Sequence, residues 1–302
     1  MSEFTAPPTI DPIAALRWQQ QAQASSPWLY EEVGRRMEER LQWIVQAPTS
    51  WCSWQPLSGG VQAHQRVAER YPQADIYIAE PRPAHEAALR SQWAMPWWKP
   101  GRWRQPKLHW EQPAPGSVQM LWANMALHQH PAPQQLLQSW HAALAVGGYV
   151  MFSCLGPDTL QELRGVYASN GWPAASQAFT DMHDWGDMLV QAGFAEPVMD
   201  MERITLSYSS AQKLREELRE LGRNLHPARF AGLRGRQWLA QLDLSLTRQL
   251  AKADEDGRLV VTFEIIYGHA FKPAPRIKVE GESRISMQDM QQMLRQGRSL
   301  SE

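Results

Sequence analysis

Between Trp51 and Cys154 short β-branched or aromatic runs alternate with longer amphipathic ones, and this alternation restricts the fold more than any other feature of the chain. Trp51 to Leu57 reads as a strand, Ser58-Gly59-Gly60 as a turn, and Val61 to Arg70 as a helix stopped at Tyr71-Pro72. Asp75 to Ala79, with Ile76 and Ile78, is a second strand, and Pro81 to Gln92 a second helix. Leu108 to Trp110 is a minimal strand and Val118 to Ala123 a fuller one. Gln134 to Ala145 is helical, with Val146-Gly147-Gly148 as its C-terminal stop. Tyr149 to Cys154 is again a strand, after which Gly156-Pro157-Asp158 opens a helix. Such an order predicts an α/β fold: a mainly parallel sheet, helices on both faces, right-handed crossovers and a ligand cleft at the carboxyl ends of the strands.

The flanks are less regular. Leu29, Val33, Met37, Leu41 and Ile44 recur at helical spacing, which predicts one amphipathic helix from Ile13 to Val45, ended by Pro48. Further on, Asp181 to Ala192 reads as a helix, Pro197 to Tyr208 as a strand, and Ser210 to Leu221 and Arg236 to Ala251 as helices. Leu259 to Tyr267 is a strong strand. Two long helices between the last two strands predict a lid over the strand ends. The expected organisation is a helical segment over 1–48, an α/β domain over 49–273 with a helical insertion at 209–253, and a polar tail over 274–302.

Composition narrows the function classes. With 302 residues, 43% hydrophobic and 20% charged, the chain is globular rather than disordered. A formal net charge of −1 gives no global field for nucleic acid or a membrane surface. Cys52 and Cys154 have no metal-like spacing and no disulfide framework. The start of the chain lacks a signal-peptide pattern, and no apolar run reaches the roughly eighteen residues of a membrane span, so a cytoplasmic location is expected. The tryptophans concentrated between Trp93 and Trp122, Trp97 and Trp98 among them, serve either core packing or the lining of a ligand tunnel.

Several positions are candidates for chemistry. Glu80 ends the second strand about twenty residues beyond Gly59-Gly60, where an acid bonds ribose hydroxyls in nucleotide-binding folds, or else caps the helix that follows. Gly59 and Gly60 either let a ligand approach the backbone or make an ordinary turn. Asn124 either faces the cleft or caps its strand. His128 and His130 read as surface residues of a loop rather than metal ligands. Arg223, Arg229, Arg234 and Arg236 follow one another with no acid between, as a docking patch for an acidic partner or a solvated basic face.

Four blocks carry a resemblance. Leu144 to Arg164, containing Phe-Ser-Cys-Leu-Gly-Pro-Asp, resembles the segment around the strand that follows the Asn124 block in the malonyl-acyl-carrier-protein O-methyltransferases of biotin synthesis. Trp122-Ala-Asn-Met-Ala-Leu-His128 is similar to that family's Ser-Asn-Leu-Ala-Leu-Gln motif. Leu259 to Pro273 resembles its closing strand and Ser26 to Val33 its N-terminal helix. The resemblance implies a Rossmann-like class I methyltransferase fold with a seven-stranded sheet, S-adenosylmethionine as methyl donor and an acyl carrier protein as partner, its malonyl carboxylate being methylated. It places Glu80 on the ribose-binding acid, Asn124 and Met125 on the cleft wall, and makes Glu111 the nearest candidate for the adenine-contacting acid. The first motif departs from the family: Ser53 stands in place of the strand acid, Gln55 and Leu57 in place of the first two glycines, and only Gly59 or Gly60 matches the last. A Leu side chain in that loop is expected to crowd the cleft. The competing readings are therefore an active methyltransferase, for this or another acceptor, and an inactive chain of the same fold that acts as a binding or regulatory partner.

Overall fold

The computed structural model describes residues 10–21, 25–93, 107–252 and 256–275. In chain order the helices and strands are α1 (Pro12–Gln19), α2 (Trp28–Arg40), β1 (Ser50–Trp54), α3 (Pro56–Gly59), α4 (Val61–Arg70), β2 (Asp75–Ala79), α5 (Pro83–Trp93), β3 (Leu108–His109), β4 (Val118–Ala123), α6 (Pro133–Ala143), β5 (Leu144–Leu155), α7 (Gln161–Ser169), α8 (Met182–Gln191), β6 (Ala195–Tyr208), α9 (Ala211–Leu221), α10 (Arg236–Leu250) and β7 (Leu259–Phe271). The strands form one seven-stranded sheet in the order β3-β2-β1-β4-β5-β7-β6. The first five strands run parallel, and β7 is antiparallel to both β5 and β6.

Strand periodicity divides the core. Trp51, Met120, Tyr149 and Met151 face the layer that holds Leu29, Val33 and Met37 of α2. Their neighbours Cys52, Leu121, Val150 and Phe152 face Leu137 and Trp140 of α6 and Trp185 and Leu189 of α8. Both faces are thus buried, as a parallel sheet requires. Caps place the helix starts: Asp11 accepts from the N–H groups of Ile13 and Ala14, Asp181 from that of His183, and Ser210 from that of Lys213. The two lid helices, α9 and α10, lie between β6 and β7 in the chain.

Several expected boundaries change. The single helix over 13–45 is two, because Pro27 is extended and caps a fresh start at Trp28. β1 ends at Trp54, three residues short of Leu57: Gln55 turns left-handed at φ 50° and Pro56–Gly59 coil into a helical turn. Val146-Gly147-Gly148 lies inside β5 rather than closing a helix, since Leu144 already pairs with Val118 and the Gly147 N–H donates to the Lys272 carbonyl. Gly156-Pro157-Asp158 makes a turn, and its helix starts only at Gln161, after a left-handed Leu160. Trp97, Trp98 and the tail beyond 275 lie outside the described residues.

Candidate active site

The carboxyl ends of β1, β2 and β4 meet at one cleft. Register pairs Trp54 with Ala79 and Ser53 with Trp122, so Gln55, Glu80 and Asn124 emerge together. The chain itself occupies most of that space. Arg82, two residues past Glu80, folds back on it: its Nε–H donates to Oε1 at 2.7 Å and its Nη2–H to Oε2 at 3.2 Å. The same Nη2 reaches the Ser58 hydroxyl at 2.6 Å. The Glu80 side chain is wholly buried, and the His85 ring stands 3.8 Å from its Oε2. Burial, and then the Arg82 charge, hold His85 below its ordinary value.

The two glycines are required by the chain's own packing. A Cβ on Gly59 would lie 2.6 Å from the Asn124 carbonyl oxygen, so this glycine is there for close backbone packing. Gly60, at φ 134°, is the sharp entry to α4. The N–H groups at the start of α4, which would favour an anion, are already held: Val61 donates to the Ser26 hydroxyl, and Gln62 and Ala63 donate to the Glu31 carboxylate at 3.2 and 3.0 Å. Leu57 does not crowd the cleft, because the helical turn after Gln55 sends it into the core at 2% exposure. Ser53, in place of the family's acid, pairs with the buried His64 at 2.9 Å, and burial pulls that imidazole down to about 3.

Asn124 ties three elements together. Its amide donates to the Tyr30 carbonyl of α2 at 2.7 Å and to the Gly59 carbonyl, while its Oδ1 accepts from the Ser153 hydroxyl of β5 at 2.6 Å. Ser153 in turn accepts from the Met125 N–H, which supports Met125 in a left-handed conformation at φ 54°. Asn124 and Met125 therefore wall the cleft, with their polar groups spent on the fold. Glu111 is exposed just beyond the two-residue edge strand β3 and is not among the residues lining the cavity.

What remains open is a cavity of about 20 Å³ walled by Trp18, Trp54, Gln55, Arg82, Asn124 and Gln129. Small-molecule sites usually offer about 300 Å³ or more. For S-adenosylmethionine the chemistry fits and the closure does not. Glu80 has both oxygens at the end of β2, as a ribose diol needs, but Arg82 holds them. The residues accommodate the donor only with Arg82 turned away and Trp18 withdrawn.

Next to this cleft, and sharing Tyr30 and Gln129 with it, is a second cavity of about 120 Å³ under α9, lined largely by apolar side chains and by His128. His128 is 8% exposed, which corrects the expectation of a surface residue: the Tyr30 and Phe179 rings pack against it. Among the described residues there is no group of metal-ligating side chains.

The four arginines have different partners. Arg229 pairs with Asp11, the cap of α1, at 2.7 Å. Arg223 lies over the Trp18 ring at 4.9 Å and lines the second cavity. Arg234 stacks on Phe230 and Trp238, and with Arg219 and Arg236 it borders an open groove of about 310 Å³.

A scan against protein-family models finds no match. Curated relatives do match. A malonyl-acyl-carrier-protein O-methyltransferase of Gallionella capsiferriformans is 36% identical over 86% of this chain and 90% of its own length. The protein of that name from Nitrosospira multiformis is 34% identical over 83% and 85%. This chain belongs to the malonyl-acyl-carrier-protein O-methyltransferase family. Among solved structures, a putative methyltransferase of Bacillus halodurans superposes with a TM-score of 0.51 at 12% identity, covering 80% of this chain and all of the other. The YcgJ protein of Bacillus subtilis gives 0.51 at 8% identity over 80% and 99%. The family member described here thus has the Rossmann-like class I methyltransferase fold, with a closed cleft at the usual strand ends.

Proposed function

We propose that the protein is an S-adenosylmethionine-dependent O-methyltransferase that esterifies the free carboxylate of a malonyl group carried by acyl carrier protein. The observation that carries this reading is the extent of the family relationship, which runs through sheet and lid alike over 86% of the chain. When bound, the donor supplies a methyl group on a cationic sulfur, and its transfer forms one carbon–oxygen bond as one carbon–sulfur bond breaks. A malonyl carboxylate is already ionised at neutral pH, so no general base is needed. The work left to the chain is orientation and exclusion of water.

Glu80 is the group that would hold the ribose once released from Arg82. Trp18 and Trp54 close the cleft against solvent, and Trp18 is fixed there by donating its indole N–H to Gln129 at 2.7 Å. The groove bordered by Arg219, Arg234 and Arg236, with Leu233 fully exposed beside them, suits the acidic, apolar-tipped surface of a carrier protein. Arg223 lines the second cavity and would act after docking, and Arg229, paired with Asp11, would join it by exchanging that partner. No helix among the described residues is long and apolar enough to cross a membrane.

The closed cleft favours a second reading, a non-catalytic partner of the same fold. Calorimetric titration with S-adenosylmethionine separates the two. Saturable binding, with methyl transfer to malonyl-carrier protein, is the expected result. Absence of binding at millimolar donor would overturn the enzyme reading and leave the second.

A further inference from the structure

The wall of the cavity under α9 holds a buried donor without an acceptor, and a hydrogen-bond chain fixes which atom it is. The Trp18 indole N–H donates to Gln129 Oε1 at 2.7 Å, which sets the amide orientation. Gln129 Nε2 is then a donor, and it faces the Tyr30 hydroxyl at 3.0 Å and His128 Nε2 at 3.2 Å. Tyr30 passes its own proton to the Leu221 carbonyl at 2.7 Å. Because His128 Nε2 accepts, the ring proton of the neutral imidazole sits on Nδ1. That Nδ1 is buried without a partner, and so is the Ser176 hydroxyl in the same lining. Burial pulls the His128 imidazole down to about 3, so it stays a neutral donor at any ordinary pH.

The rest of the lining has a consistent character. Leu155, Leu163, Phe179, Leu218 and Phe263 make the walls apolar. Arg223 is the one charged residue among the described residues of the lining, and its exposure puts it where the cavity meets solvent. Among the described residues no carboxylate lines the space. Buried donors that lack acceptors are rare in native proteins and call for an explanation. An apolar slot with two such groups buried in its wall and a cation at its rim selects a short chain bearing oxygens and negative charge. The slot also shares Tyr30 and Gln129 with the cleft at the strand ends, so an occupant lies beside the place a methyl donor would take.

We propose that this cavity is the acceptor site, holding the short dicarboxylic acyl end of a thioester, with His128 Nδ1–H donating to one of its oxygens and Arg223 offsetting its charge. This rests on the reading of the chain as a methyltransferase of a carried carboxylate. His128 then binds the acceptor directly.

The test is calorimetric titration of the full chain with malonyl-pantetheine and with butyryl-pantetheine, a near-isostere without the terminal carboxylate. The wild type should prefer the malonyl probe by about tenfold or more, as expected where a site's buried polar groups would otherwise stay unpaired. His128→Phe fills similar space without a donor and should remove most of that preference, with butyryl affinity within about twofold of wild type. His128→Gln, which keeps an N–H donor, should recover part of it. Thermal melts confirm that each variant folds. Lack of preference in the wild type, or an unchanged preference in a folded His128→Phe, would overturn the site and leave a plain core cavity. Methyl transfer separates this from the function itself. A chain that binds malonyl-pantetheine selectively but methylates no malonyl-carrier protein overturns the function and keeps the site. His128→Phe working at wild-type kcat and KM overturns the site and keeps the function.

Discussion

Two neighbouring cavities meet at Tyr30 and Gln129, and they differ in how their polar groups are used. At the strand-end cleft the groups placed to meet a cofactor are engaged, Glu80 by Arg82, Asn124 by Tyr30, Gly59 and Ser153, and the start of α4 by Glu31 and Ser26, while the buried Trp54 indole N–H has no partner. Under α9 the His128 imidazole and the Ser176 hydroxyl each have a buried atom without a partner. A family's characteristic pocket can thus be satisfied internally while an adjacent one is left with spare hydrogen-bonding capacity. Ligand must displace protein hydrogen bonds in the first and none of those described in the second, so affinity should be limited at the cleft.

The largest effect that would break this contrast is at Asn124. Asn124→Ala strips partners from three buried groups, and at about 1–3 kcal/mol for each unsatisfied group the native state should lose most of a typical domain's stability, read by urea unfolding. If the variant lost under 1 kcal/mol (), the cleft would not be held shut by its own bonds.

Next comes Arg82→Ala. It leaves the Glu80 carboxylate buried without its main partner, so apo stability should fall by about 3 kcal/mol. Affinity for S-adenosylmethionine should at the same time rise by about tenfold or more, since the competitor is gone. A variant that loses stability without gaining affinity would show that Arg82 is structural only.

Acid should erode both regions together. His64 and His128 have folded values near 3 against 6.5 when free. The unfolded chain therefore takes up protons first, and the stabilisation, complete above about pH 6.5, is lost progressively as pH falls toward 3. Melting temperature measured against pH should be flat above neutrality and decline below it, less steeply in His128→Phe. An unchanged slope in that variant would place the proton uptake elsewhere.

The smallest effects belong to the groove. Arg234→Ala and Arg236→Ala should each raise KM for a malonyl-carrier protein by about threefold to tenfold, with stability within about 0.5 kcal/mol of wild type. Those increases should shrink as salt is added, because the contacts are exposed. Salt-insensitive KM values would move carrier docking to another face.

Much of the fold could be read from periodicity. The alternation of β2 and β4 with their helices is strong, and the residues that split between the two sheet faces do so in simple succession. Boundaries failed where one residue's backbone decides: the left-handed Gln55 and Leu160 carry no glycine to announce them. The site was less legible, because each surprise is a partnership between distant residues. Nothing near Glu31 indicates that a carboxylate on α2 caps α4, thirty-odd positions away. Arg82 had a local signal, a basic residue between two prolines directly after the candidate acid. His128 had none, since its burial comes from Tyr30 and Phe179, both distant in the chain.

Gln129 links these cavities energetically as well as spatially. One amide receives from Trp18 over the cleft and donates toward His128 in the slot, so moving Trp18 aside frees the group that fixes the His128 tautomer. Free energy spent on one side is then felt on the other, and by thermodynamic linkage the influence is equal in both directions. The two ligands of such an enzyme would not bind as independent events: each would find a protein whose readiness the other had already altered.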